Sequence, residues 1–391
     1  MTATAATDLL YSDTERSLAS ALDDVLSSRA KPADVVARTE RPETYDAELW
    51  HVVAADIGLA GLLIPEPLGG AGASFRELAT AAEHFGATAA PIPYLGSAAV
   101  ATATLLSAAR SAAASTGPVS PAADLLRRMA DGSLTVALVV DSTNSPYGQF
   151  PAAARVAGTG ADGLTRLRGR IPAVADALPA DVLLVPGEGV PSALYMVEPA
   201  APGVHRTPVV SLDMTRQVCD VTLDDVPARQ VAVGAAAEAA VRAGLTAGAA
   251  VLAAEQLGLA QQCLDMTVAY AKERRQFARP IGSFQALKHR LADLWTTITQ
   301  ARAASRYAAA CLAADDPDAP VAVALAKAAC CEAAVTAAQE CVQLHGGIGF
   351  TWEHPAQLFL KRAKAASVTF GTPAAHRAAL ASLVNLPGPE E

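Results

Sequence analysis

Two stretches in the C-terminal half combine residue types and spacings suited to holding an anionic ligand. One runs Glu273-Arg274-Arg275-Gln276-Phe277 and continues through Pro280-Ile281-Gly282-Ser283-Phe284-Gln285. The other is Gln343-Leu344-His345-Gly346-Gly347-Ile348-Gly349-Phe350. Each sits where a long Ala-rich helical pattern meets a turn. Arginine presents a planar fork that donates paired, charge-assisted hydrogen bonds to phosphate. Glycine lets backbone N–H groups approach an anion closely. Cations, amide side chains and bare backbone at helix ends are the groups that hold a pyrophosphate and its sugars. Each also has a plainer use. Lys272, Arg274 and Arg275 end a helix, where cations complement the dipole. Gly346-Gly347 suits a helix C-cap, and His345 alone reads as a structural loop residue.

The elements that must position these residues are legible in the pattern. The chain has 391 residues, 52% hydrophobic and 5% aromatic, ample for a large core and about two to three structural units. Residues 8–131 read as mostly helical, through Leu18, Leu22, Val25 and Leu26 and again through Leu49, Val52 and Val53. The Gly- and Pro-rich run from Gly58 to Gly72 interrupts as a loop. Helical pattern resumes over Phe75–Phe85 and Ala98–Leu106, and the Ala- and Ser-rich residues 107–120 read as a surface connection. Residues 134–233 change character. Leu134–Val140, Val182–Val185, Ala193–Val197 and Gln217–Leu223 are short, β-branched runs punctuated by Gly, Pro and Asp, the mark of strands in a small sheet or barrel. From about residue 236 the chain reads as four helices near 236–273, 283–313, 319–344 and 354–386. Many of their positions are Ala, which permits close bundle packing. The fold class expected is α+β: an N-terminal helical domain over 1–133, a middle β domain over 134–235 and a C-terminal four-helix bundle over 236–391.

Charge and cysteine content narrow the function classes. Net charge is −9 and the sequence pI is about 5.3, which argues against nucleic acid and anionic membrane as partners. A phosphate-bearing ligand then needs a local cationic site. No basic n-region or apolar h-region opens the sequence, and no uninterrupted apolar run reaches the length of a membrane span. Cys219, Cys263, Cys311, Cys330, Cys331 and Cys341 form no CxxC and read as reduced core thiols of a cytoplasmic protein.

Over essentially its whole length the chain resembles the acyl-CoA dehydrogenase family. The family's loop pattern G-L-x-G-L-x-I-P-E-x-x-G-G-x-G stands intact at Gly58–Gly72. Its E-R-x-x-F…F-Q and Q-x-x-G-G-x-G-F patterns stand intact at 273–285 and 343–350, in the family's order. The resemblance implies FAD as cofactor, an acyl-CoA thioester as substrate, and an electron-transfer flavoprotein or similar acceptor. In that family a glutamate removes the α-proton while the β-hydride passes to the flavin, and the FAD straddles two subunits. Carried onto this chain, the cofactor set is Arg274, Gln276, Phe277, Phe284, Gln285, Gln343, Leu344, Gly346, Gly347 and Thr372.

The catalytic side departs from the pattern. Where the family carries its base in Y-E-G-T, this chain has Thr369-Phe370-Gly371-Thr372, so the base position is Phe370. The alternative family position, on the first long helix of the bundle, falls at Gly248. A phenyl ring and a hydrogen atom cannot take a proton. Substitute carboxylates are Glu255, about two turns along on a similar face and better read as a helix-surface or subunit-contact residue, then Glu353 and Asp141. The T-E-P-x-A-G-S-D loop is replaced by Val140-Asp141-Ser142-Thr143-Asn144-Ser145-Pro146-Tyr147, and W-I-T-N has no counterpart in 169–182. The flavin-ring half-site therefore reads as eroded and the diphosphate half-site as whole.

That asymmetry resembles the base-less subunit of actinobacterial hetero-oligomeric acyl-CoA dehydrogenases, which act on steroid side-chain thioesters. It implies a paralogous partner in a heterotetramer, with this chain lending Arg274, Gln285, Gln343 and Gly347 to the partner's FAD. Two alternatives remain open: a homo-oligomeric dehydrogenase with a relocated base, and a non-redox scaffold or lyase-like acyl-CoA binder.

Overall fold

A computed structural model describes residues 8–41, 43, 45–113 and 120–387 of the chain. Helix α1 (Asp13–Arg29) starts on a capping box, with Ser12 accepting from the Glu15 N–H and Glu15 accepting from the Ser12 N–H. Helices α2 (Pro32–Thr39) and α3 (Ala47–His51) follow. The Gly58–Gly72 stretch is a chain of tight turns in which Gly58 and Gly69 take left-handed backbone, φ 82° and 90°. Helix α4 (Phe75–Thr88) starts on a second capping box, Ser74 with Glu77. Helix α5 (Thr102–Ala113) carries on through residues expected to form a connection, because Ala is the strongest helix former. The rest of that expected connection, 114–119, lies outside the described residues. Helix α6 (Pro121–Ala130) ends the N-terminal group.

Seven strands make the middle sheet: β1 (Val136–Leu138), β2 (Ala154–Thr159), β3 (Thr165–Ala175), β4 (Val182–Glu188), β5 (Ala193–Val197), β6 (Val204–Pro208) and β7 (Val218–Val233). Strand β4 pairs with both β2 and β5, so β4, β2, β3, β7 and β5 close into a ring, with β1 and β6 added outside it. The interior holds Leu167, Ile171, Leu183, Val185, Val197, Val221 and Leu223. Strands β2, β3 and β6 escaped the sequence pattern. Arg155, Arg166, Arg168, Arg170 and Arg206 interrupt them, and most of their positions are exposed or half-buried, so no apolar run marks them.

Helices α7 (Ala235–Glu273), α8 (Gln285–Ala313) and α9 (Ala319–His345) begin the C-terminal group. A two-stranded hairpin, β8 (Arg275–Gln276) with β9 (Arg279–Pro280), links α7 to α8. The expected fourth helix over 354–386 is instead two: α10 (Ala356–Ala366) and α11 (Pro373–Leu383). Phe370 and Gly371 break it with φ 56° and 100°, and Thr372 caps α11 by accepting from the Ala375 N–H. Helix α7 and the 319–350 stretch are long and apolar enough to cross a membrane, contrary to expectation, since Ala-rich runs average to high hydropathy. Their most apolar windows are 89% and 67% buried inside the protein, which makes them core helices here.

Helices α4 and α7 touch backbone to backbone through reciprocal glycines. A Cβ on Gly86 would strike the Glu255 carbonyl, and one on Gly258 would strike the Glu83 carbonyl. A Cβ on Gly347 would meet nothing within 4 Å. Gly258→Ala is therefore expected to lower stability by ~1–3 kcal/mol through overpacking. Gly347→Ala should stay within about 0.5 kcal/mol of wild type, as surface changes do. Urea denaturation of the two variants checks the contrast.

Candidate functional site

The ends of the helices that carry the two motif stretches meet through aromatic stacking. Tyr270, near the end of α7, stacks on His345, the last residue of α9, with centroids 4.4 Å apart; His354 lies 4.4 Å from the same imidazole. His345 is buried and its Nδ1–H donates to the Cys341 carbonyl at 2.7 Å, closing the last turn of α9. Burial alone would lower its pKa, but the bonds to Cys341 carry the imidazole above its ordinary value. His345 is thus a structural fastener between the two helix ends.

Around this joint the polar groups face solvent. Arg274, Arg275, Gln276, Arg279, Gln285, Gln343, Gly346 and Gly347 are exposed, while Leu344 and Phe284 are half-buried. Phe277, at the hairpin tip with φ 53°, is 86% exposed and lies edge-on to Phe284 at 6.1 Å. The Arg279 guanidinium covers the Phe284 ring at 4.0 Å. Among the described residues, no ion pair engages Arg274, Arg275 or Arg279. A Cβ on Gly346 or Gly347 would point into open space; Gly346, φ 64°, caps α9 with its N–H donating to the Gln343 carbonyl. Guanidiniums, amides, an upright phenyl ring and open backbone fit a diphosphate with an adjoining planar group.

The positions where a base was sought hold a packing pair. A Cβ on Gly248 would lie 2.7 Å from Phe370 Cε2 and 2.8 Å from Cζ, so the ring occupies the space beside α7. Phe370 is only 5% exposed. Its turn is fastened from three sides. The Phe370 N–H donates to the Ser142 carbonyl at 2.7 Å. The His376 Nε2–H donates to the Phe370 carbonyl at 2.9 Å. Buried Lys327 donates from Nζ to the Ala366 and Gly371 carbonyls at 3.1 and 3.3 Å, and to Cys331 Sγ at 3.1 Å. Burial, with Lys327 nearby, holds His376 down at about 4, so it is neutral at pH 7. Thr372 uses its hydroxyl as the α11 cap.

What remains beside the ring is a cavity of about 20 Å³, bounded by Leu95, Val100, Leu138, Val140, Asp176 and Phe370. A larger cleft of about 330 Å³ adjoins it, with Ser142 and Ala175 bordering both. Into that cleft strand β3 presents Ala173 and Ala175, two methyl groups, opposite Val368 and Thr369.

Two of the three substitute carboxylates are engaged elsewhere. Glu255 is 3% exposed, not at a helix surface. It takes both Arg216 Nη2 contacts, at 2.8 and 2.7 Å, and Arg362 Nε at 3.0 Å. Burial alone would raise its pKa, but the two guanidiniums hold it at about 2, which makes it a poor proton acceptor. Asp141 accepts from the Thr143 N–H and hydroxyl at 2.8 and 2.7 Å, shaping a turn. Glu353 is exposed beside Trp352.

Asp176 is the carboxylate that the sequence did not single out. It borders the small cavity, accepts from the Gly96 N–H at 3.0 Å, and burial raises it to about 6 despite Arg216 at 4.0 Å. No local signal marked Asp176, Arg216, Lys327 or Arg362, because each acts on residues distant in sequence, and His376 acts on Phe370 only through the fold of the turn between them.

Comparison with known proteins agrees with this architecture. Residues 12–114 match the family model for the acyl-CoA dehydrogenase N-terminal domain, and residues 238–384 match that for the C-terminal domain. Acyl-CoA dehydrogenase IpdE2 of Mycobacterium tuberculosis is 35% identical over 349 residues, 89% of this chain and 90% of that protein. Among solved structures, the ChsE4-ChsE5 complex from Mycobacterium tuberculosis superposes with a TM-score of 0.82 at 26% identity, over 97% of this chain and 100% of that one. The Tcur3481-Tcur3483 steroid ACAD G363A variant gives 0.79 at 29% identity, over 95% and 98%.

Glu255→Gln leaves two buried guanidiniums without their carboxylate and should cost ~3–5 kcal/mol at pH 7. The folded-state pKa is depressed from 4.5 to about 2, so the stabilisation is complete above 4.5 and is lost as pH falls through about 2. The gap between wild type and variant should therefore close between those values, which denaturation at stepped pH would follow.

Proposed function

The chain belongs to the acyl-CoA dehydrogenase family, and we propose that it serves in α,β-dehydrogenation as the subunit that completes the FAD site of a catalytic partner. The observation that carries this reading is the Phe370 ring packed against Gly248. No residue at either position can take the α-proton, and the cavity left beside the ring is about 20 Å³. When bound, FAD supplies the acceptor for the β-hydride. This chain's residues then bind and orient. Arg274, with Gln276, Gln285 and Gln343, would donate to the diphosphate and its sugars, Gly347 would offer its N–H, Gly346 would allow close approach, and Phe277, Phe284 and Leu344 would flank a planar portion. Thr372 stands at the end of the Phe370 turn, where its hydroxyl serves α11.

The likeness to the ChsE4-ChsE5 complex and to a steroid ACAD supports a paralogous partner in a hetero-oligomer. It also supports a lipid or steroid side-chain thioester of CoA as the substrate. Electrons would leave to an electron-transfer flavoprotein or similar acceptor, in the cytoplasm. One observation favours a second reading, a homo-oligomer with a relocated base. The Asp176 carboxyl, raised to about 6, borders the cavity beside Phe370 and would be the base there.

Two outcomes separate these readings. Expressed alone, the chain should form no yellow, dehydrogenating oligomer; co-expressed with a paralogue, it should give FAD-bound, active enzyme whose turnover survives Asp176→Asn in this chain. A flavin-loaded, active homo-oligomer that loses turnover in Asp176→Asn would reverse the assignment. In the complex, Arg274→Ala should weaken FAD binding about tenfold to hundredfold, the worth of one charge-assisted contact, as read by flavin titration.

A further inference from the structure

Each of the two exposed motif stretches is fastened to the helix that carries it. The Arg274 N–H donates to the Tyr270 carbonyl at 2.8 Å, and the Ile281 N–H donates to the Arg274 carbonyl at 2.8 Å, so the β8–β9 hairpin closes onto the last turn of α7. A Cβ on Gly282 would lie 2.9 Å from the Ala271 carbonyl oxygen, so the far end of the hairpin rests on that turn too. The glycine turn is tied to α9 in the same way. The Gly346 N–H donates to the Gln343 carbonyl, and a Cβ on Gly349 would lie 2.6 Å from the Val342 carbonyl oxygen. Neither set of contacts fixes the span between the two stretches, which depends on how the ends of α7 and α9 meet.

Three rings fill that meeting point. The buried His345 imidazole stacks on Tyr270 at 4.4 Å with 28° between the planes, and His354 meets it at 4.4 Å and 48°. Both imidazoles are oriented by their own segments. His345 Nδ1–H donates to the Cys341 carbonyl at 2.7 Å, and His354 Nδ1 accepts from the Ala356 N–H at 3.2 Å, where α10 begins. Tyr270 stands four residues before Arg274, and His345 stands two before Gly347. The ring stack is therefore the short path between the guanidinium of one stretch and the free N–H of the other.

We propose that His345 is a positioning residue for cofactor binding: its ring, held between Tyr270 and His354, sets the span at which one diphosphate reaches both Arg274 and the Gly347 N–H. The inference rests on the FAD reading above. Charge-assisted hydrogen bonds weaken steeply with distance and angle, so a ligand shared by two stretches is lost when either is displaced. A site is only as well placed as the groups that support it.

The test is FAD titration of the complex formed with a paralogue, read by flavin fluorescence. His345→Ala should raise the Kd for FAD at least about tenfold, and His345→Phe, which keeps a stacking ring, should bring it back to within about threefold of wild type. Tyr270→Leu, at a half-buried position, removes the stack from the other side with the same expected loss, and it decides the matter where His345→Ala fails to fold. In an Arg274→Ala background, His345→Ala should add less than about threefold, because the group it aligns is gone, whereas a role in folding alone would give equal factors in both backgrounds. Wild-type affinity in His345→Ala and Tyr270→Leu, no rescue by His345→Phe, or equal losses with and without Arg274 overturns the proposal. If Arg274→Ala alone leaves FAD binding intact, the FAD reading fails and this inference falls with it; if Arg274→Ala weakens binding and the ring variants do not, this inference alone fails.

Discussion

Glu255 lies between two guanidiniums that arrive from different parts of the chain, and that buried clamp fixes the geometry of everything beside it. Arg216 comes from the segment entering β7 and Arg362 from α10, while Glu255 itself is in the middle of α7. Arg362 also donates to Thr215 Oγ1 at 2.6 Å, and Asp176 stands 4.0 Å from Arg216. The sheet, the long core helix and the last pair of helices are thereby held in one register. As a source of net stability such a network is weak, because desolvation of the charges offsets most of their attraction. Its effect is on which arrangement forms, since any shift of the sheet against the bundle would leave a buried charge unmatched.

Within that register, Phe370 and Gly248 are complementary, and position 248 takes no side chain while the ring is in place. A side chain at 248 would collide with the ring, and Val100 Cγ2 would stand 2.9 Å from its Cβ on another side. A carboxylate at 370 would need both room and a weakly solvated setting near cations. The present surroundings are Leu95, Leu138 and Val140, with Lys327 turned instead toward backbone carbonyls. The Lys327 ammonium sits by the Ala366 carbonyl at the last residue of α10, where the helix dipole favours positive charge. It can therefore remain buried without a carboxylate partner while it pins the turn.

What the sequence disclosed follows from the range over which each feature is encoded. The motif stretches are contiguous and sit on helix ends, so residue type and spacing were enough to find them. The long helices of the bundle were legible from their Ala-rich pattern. The split between α10 and α11 was not, because similar composition runs through both and the break rests on left-handed backbone at Phe370 and Gly371. Gly371 was the available cue. Glu255 was misjudged as a surface residue although α7 is apolar on every side, the property of a helix buried all round. Asp176 had no local cue at all. It enters the cavity wall on a left-handed residue, φ 55°, just past β3, and only the folded sheet brings it to Gly96.

The distribution of unused capacity bears on the proposed partner. Inside, the carboxylate, lysine and histidine near the Phe370 turn are bound to their own chain. Outside, Arg274, Arg275 and Arg279 have no ion-pair partner among the described residues, and Phe277, Ile348, Phe350 and Trp352 are 86%, 49%, 76% and 50% exposed. On the proposed reading these side chains form a surface that another molecule covers. Covering this one with a partner that brings no anion would desolvate arginines that have no counter-charge, which is strongly unfavourable. A dinucleotide diphosphate removes the conflict, because it neutralises the guanidiniums while its planar ends meet the aromatic groups. On the proposed reading, then, the cofactor is itself part of the contact between subunits, and cofactor loading and association of the two chains should be thermodynamically linked.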